Sequence, residues 1–173
     1  MVARFFFDDV NQWWRKWSAT ILALFWTVGL ICGFLVFLCA DESVSSLMRR
    51  AVASPVSIVS LLISLLFPFL LSALAVFLSK PRLLLIIAFC KAFLLMYVTV
   101  CVRSAFGSAG WLVQALYMAS DILTLPLLYR YWLQHIRQNG SFRFGNNAMY
   151  FLAAVAAGFL DYFYISPLLL GLF

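Results

Sequence analysis

The sequence predicts an all-α protein, a polytopic membrane helical bundle of about five transmembrane helices, and three observations carry that prediction. Of 173 residues, 66% are hydrophobic and 10% charged, whereas charged residues make up about 25% of an ordinary soluble domain. The apolar residues fall into five runs close to the ~20 residues a helix needs to cross a bilayer. The charges collect in the short breaks between those runs. Nearly every residue is then needed to cross or to turn, which leaves one integral membrane domain over 1–173 and no separate catalytic domain.

Taken in order, residues 1–17 place Phe6, Val10, Trp13, Trp14 and Trp17 on one helical face, with Asp8, Asp9 and Arg15 elsewhere. That is the pattern of an interfacial amphipathic helix lying on the inner membrane surface. The first span covers 18–39. It is too long for the apolar core of a signal peptide, and Leu38 is not the small residue a cleavage site wants three back. Its Gly29-x-x-x-Gly33 spacing supplies a close-packing face. In "ADESVSSLMRRAVAS", Val44, Leu47, Met48 and Ala51 share one side, with acids at the start and arginines near the end. Helix polarity favours that charge order, so a second surface helix is expected, either as an anchor or as a docking surface for another protein.

The remaining spans cover 55–78, 83–102, 111–132 and 148–170. The "SKPR" and "SAFGSAG" links are short enough to force antiparallel hairpins. Pro68, Pro126 and Pro167 stand inside spans, as kinks around a cavity or as tolerated breaks. On the last helix Ala154 and Gly158 share a face with Asp161, which lets a neighbour approach that carboxylate closely.

Orientation follows from basic residues. With the N-terminus inside, the inner segments hold Arg4, Arg15, Lys16, Lys80, Arg82, Arg130, Arg137 and Arg143, and the outer ones hold Arg49, Arg50 and Arg103. The bias predicts N-in and C-out. Trp13, Trp14, Trp17, Tyr131, Trp132 and Tyr150 would form the inner aromatic belt, with Trp111 on the outer side. A net charge of +6 divided among these breaks does not make a nucleic-acid groove. Cys32, Cys39, Cys90 and Cys101 lack metal or redox spacing and read as small membrane-buried residues.

Three charged residues, Lys91, Asp121 and Asp161, resist this pattern. Lys91 sits near the middle of an apolar run, where a lysine costs about 2.5 kcal/mol or more on insertion scales, so it needs a partner, a wet cavity or a task. It is nine residues beyond Arg82, and Asp121 is nine before Arg130, which puts each about 13 Å inside its marker. Their helices are joined by a hairpin, so a Lys91–Asp121 ion pair is expected. Asp161 lies about 20 Å beyond Ala148, roughly one turn farther out. Gln114, Tyr117, Asp121 and Thr124 form one polar stripe facing the bundle interior. Two carboxylates and one ammonium cannot all ionise comfortably in a low dielectric. The Lys91, Asp121 and Asp161 cluster then either fixes helix register or binds and moves an ion, a proton or a small solute.

Catalysis has little to stand on. His135 falls in an expected inner loop, there is no Gly-x-Ser-x-Gly, and no His/Cys spacing suits a metal. No enzyme, metal or cofactor is expected.

The stretch "FCKAFLLMYVTVCVRSAFGSAGWLVQALYMASDILTLPLLYRYWL" resembles the stage II sporulation protein M family of small five-helix membrane proteins. The features are a lysine followed by an apolar helix, a glycine-containing turn, then an apolar helix with a polar residue five positions before a proline: here Lys91, Gly107 with Gly110, Asp121 and Pro126. "GLICGFL" is similar to the family's first helix, so the resemblance covers residues 27–133. It implies a non-catalytic accessory or scaffold subunit of a bacterial cytoplasmic-membrane complex, working with a membrane-protein partner or a second copy. The sporulation representative works with a peptidoglycan-cleaving complex. The alternative is a small transporter or substrate-binding subunit using the Lys/Asp cluster.

Overall fold

The computed structural model describes residues 2–40, 42–53, 57–78, 80, 82–137 and 144–170. Among these every element is helical: α1 Val2–Leu38, α2 Glu42–Ala53, α3 Ile58–Phe77, α4 Leu83–Phe106, α5 Gly110–Tyr117, α6 Ala119–Arg137, α7 Phe144–Leu160 and α8 Ser166–Leu170. A 3₁₀ turn, Gly107–Ala109, links α4 to α5, and a π-helical turn, Asp161–Ile165, links α7 to α8. Three described stretches are long and apolar enough to cross a membrane: Lys16–Leu38, Leu83–Leu116 and Ala148–Leu168. The apolar helix Leu61–Phe77 is shorter.

Side-chain contacts give the helix directions. Gly29 lies against Phe89 and Ala92, and Gly33 against Phe93 and Met96, so α1 and α4 run parallel. Arg137 reaches Ser18 while Trp132 meets Trp26, which makes α6 antiparallel to α1. Phe69 packs on Tyr150 and Phe151, and Gly158 on Leu62 and Leu65, which makes α7 antiparallel to α3. One end of the bundle, the basic end, therefore gathers Ser18, Lys80, Arg82 and Arg137. The α4–α5 turn lies at the opposite, hairpin end.

The principal core lies toward the basic end and draws on α1, α3, α4, α6 and α7, with Leu22, Phe69, Val76, Leu84, Leu128, Tyr131, Trp132 and Ala154 buried together. A smaller cluster at the hairpin end joins Val102 and Val113, with Val98, Phe106, Leu116 and Ile165 against it. Outside these cores the surface is apolar. Leu24, Val28, Ile31 and Leu35 on α1, Phe67, Leu70, Leu74 and Phe77 on α3, and Leu152, Phe159 and Phe163 on the last span are all exposed. So much contiguous apolar surface fits a membrane protein, where lipid covers what water would not.

Several expectations change. The surface helix over 1–17 and the first span form one unbroken helix, because no Pro, Gly or capping break falls between Val2 and Val28 to end it. The Phe6, Val10 and Trp14 side chains lie outside the described residues, whereas Trp13 and Trp17 are exposed. The span expected over 111–132 is divided at Met118 (φ −94°, ψ 0°) into α5 and α6. Backbone bonds still cross the division, from Met118 N to Gln114 O (3.0 Å) and from Ile122 N to Met118 O (2.8 Å). The second half continues past residue 132 to Arg137, which turns the expected loop around His135 into a helix. Of the apolar side expected on α2, Val44 is half-buried, Leu47 is 61% exposed, Ala51 is exposed, and the Met48 side chain lies outside the described residues.

The prolines have local consequences. Pro68 is buried within α3, and the Ser72 hydroxyl donates to its carbonyl at 2.6 Å. Pro126 lies on the exposed side of α6. Pro167 follows the π turn, in which the Ser166 N–H bonds to Asp161 O, five residues back. Proline lacks an N–H and crowds the carbonyl four residues before it, and the wider π register just upstream makes room for the ring.

Candidate functional site

The site begins with a turn. Gly107 has φ +54°, a conformation other L-residues rarely adopt, and it ends α4. Gly110 then lets the returning chain press onto α4, since a Cβ there would sit 2.6 Å from Arg103 O. The Arg103 guanidinium stacks over the Trp111 ring, 3.7 Å from its centroid. Farther down, Val102 packs on Val113, and the Thr99 hydroxyl donates to Met118 Sδ at 2.8 Å. These contacts set the register of the two helices.

Two turns below Thr99, Lys91 Nζ donates to Asp121 Oδ1 at 2.6 Å. The side chains are 18% and 23% exposed, so each charge has lost most of its water. Along both helices the pair falls between the two apolar clusters. Desolvation is offset here by a short, direct, charge-assisted bond, and removing either partner would leave the other uncompensated.

The rest of the expected stripe is partly assembled. The Thr124 side chain is buried, and its hydroxyl donates to Asp121 O at 3.3 Å. Gln114 Oε1 is buried without a hydrogen-bond partner among the described residues. Tyr117 belongs to α5, but its side chain lies outside the described residues. Asp161 is 8% exposed and opens the π turn, which packs against α6. Among the described residues no group of three or more His, Cys, Asp and Glu side chains is arranged to hold a metal.

The packing glycines sit where their spacing puts them to use. A Cβ at Gly29 would approach Phe89 O to 2.5 Å, and one at Gly33 would press on Phe93 O. Such contact allows weak Cα–H to carbonyl bonding between α1 and α4. Ala154 is wholly buried in the main core, and Gly158 admits Leu62 and Leu65 of α3.

A second polar assembly was not evident from the sequence. Tyr131 and Trp132, expected in an interfacial belt, are fully buried, and His135, expected in a loop, is 1% exposed. Trp132 Nε1 donates to Ser72 Oγ at 2.7 Å, and that hydroxyl in turn donates to Pro68 O. The chain of bonds ties α6 to the proline turn of α3. The Tyr131 ring meets His135 edge-on at 4.5 Å and Tyr150 at 5.1 Å. Tyr131 Oη is buried with no hydrogen-bond partner among the described residues. A signal was available: Leu128, Tyr131, Trp132, His135 and Ile136 recur at helical spacing and so share one inward face.

Compared with protein-family models, with curated proteins and with solved structures, the chain finds no match.

Proposed function

We propose that this chain is a non-catalytic accessory or scaffold subunit of a bacterial cytoplasmic-membrane complex, crossing the membrane five times with its N-terminus inside and its C-terminus outside. The observation that carries the reading is the closed Lys91–Asp121 pair. Two ions bonded directly to each other between two apolar clusters brace a helix hairpin, and a largely desolvated ionic group of this kind serves register and specificity. The resemblance of residues 27–133 to the stage II sporulation protein M family supports the same role, and the gathering of Lys80, Arg82 and Arg137 at one end supports the orientation. The test is affinity capture of the full chain from membranes in mild detergent, followed by mass spectrometry. A stoichiometric membrane-protein partner, or a second copy, is expected; a monodisperse monomer that captures nothing would remove the scaffold reading.

A second reading, a small transporter or solute-binding subunit, is favoured by Asp161. It is a buried carboxylate at the start of a π-helical turn, a distortion frequent at functional sites. Asp161→Asn separates the two, because an amide keeps the shape but cannot cycle a proton. Under the scaffold reading the variant folds and complements as the parent does. A well-folded variant that inserts normally yet has lost activity would favour transport.

A further inference from the structure

The outward stripe of α6 changes character along its length. Ile122 and Leu123 are 60% and 52% exposed, Pro126 is exposed, and the same face then continues into Arg130, half-exposed Gln134 and Arg137. Arg130 and Arg137 are seven residues apart, two helical turns, so they project on one side about 10.5 Å from each other. Neither has a carboxylate partner among the described residues. Arg137 is also held in place: its Nε donates to the buried Ser18 Oγ of α1 at 3.3 Å. An arginine has five N–H groups in a fixed fork, so anchoring Nε leaves the two terminal nitrogens, which have no partner among the described residues, to bind a ligand.

An apolar track leading into two guanidinium groups that no described carboxylate neutralises, one pre-positioned at a helix seam, matches a molecule with a fatty tail and an anionic head. We infer that the Arg130–Gln134–Arg137 edge of α6, with Ser18 fixing Arg137, is a headgroup site for an anionic phospholipid in the leaflet at the basic end. The acyl chains lie along Ile122, Leu123 and Pro126, and the phosphodiester accepts from the arginines. This rests on the membrane reading proposed above and adds to it a specific lipid contact. Charge complementarity selects the occupant, because a zwitterionic headgroup offers its phosphate together with a cation that the two arginines repel.

The test is native mass spectrometry of the full chain in mild detergent, titrated separately with phosphatidylglycerol, phosphatidylcholine and inorganic phosphate. Phosphatidylglycerol should be retained about tenfold more tightly than phosphatidylcholine, and Arg137→Gln should remove about that factor, as loss of a charge-assisted fork does. Arg137→Lys should still lose about threefold, because a point charge does not replace a planar fork. Ser18→Ala should weaken binding while leaving Arg103→Gln, at the hairpin end, as the unaffected control. Circular dichroism and elution profile establish folding, and if Arg137→Gln does not fold, Arg137→Lys and Ser18→Ala decide. Wild-type retention by folded Arg137 variants, an equal loss in Arg103→Gln, or competition by equimolar inorganic phosphate would each overturn the site. Alkaline extraction of membranes distinguishes the two levels: a chain released by carbonate overturns both the site and the membrane reading, whereas an integral chain without lipid preference overturns the site alone.

Discussion

Lys91 and Asp121 are coupled through one bond, and that bond makes their substitutions non-additive. Either residue alone, changed to an apolar one, leaves a charge stripped of most of its water and should destabilise the folded chain by about 3–5 kcal/mol. The double change removes both charges and should recover much of that loss. Thermal unfolding in detergent, run as a double-mutant cycle, measures the coupling; additive single effects would show that the pair contributes nothing. The Trp132–Ser72–Pro68 chain works differently, since its groups are neutral. Trp132→Phe should cost about 1–3 kcal/mol through the lost bond and the space left behind, with the helices still in place. Ser72→Ala tests the same link from the other side, and the two losses should not add, because each removes the same hydrogen bond.

Between elements, α1 and α4 share the most extensive contact among the described residues, and they approach closely. Gly29 and Gly33 face backbone carbonyls of α4, which cannot turn aside as a side-chain end would. Gly33→Leu should therefore separate the helices and destabilise by more than the ~1–3 kcal/mol typical of overpacking. Gly158→Ala, which meets only the flexible ends of leucines, should be milder. Comparing the melting temperatures of the two variants checks this order, and an equal or reversed order would contradict the packing described. The π turn belongs to this scale as well. It lies between α7 and Pro167 of α8, and it begins at the buried Asp161.

Across the whole molecule, α1, α4 and α7 run one way and α3 and α6 the other. The proposed N-in, C-out topology, with five crossings, can be tested directly. A reporter active only outside the cytoplasm should work when fused after Phe173 and fail when inserted within residues 138–145. The reverse pattern would invert the orientation and place the basic end outside, against the distribution of Lys80, Arg82, Arg130 and Arg137.

The sequence by itself determined that the chain is helical and apolar enough for a membrane, and that Lys91 and Asp121 lie level across a tight hairpin. Both follow from local quantities, residue hydrophobicity and a fixed rise per residue, which need no knowledge of neighbours. It also marked Gly29 and Gly33 as a contact face without naming α4 as the helix they meet. Only the tertiary structure decided that Tyr131, Trp132 and His135 point into the core, that α1 runs unbroken through the expected surface segment, and that Asp161 opens a π turn. Those depend on how each helix is rotated against several others, and an amphipathic aromatic suits an interface and a satisfied core equally well. Hydropathy measures how deep a residue can lie, whereas rotation decides what it touches, and rotation is set by the packing of all the helices at once.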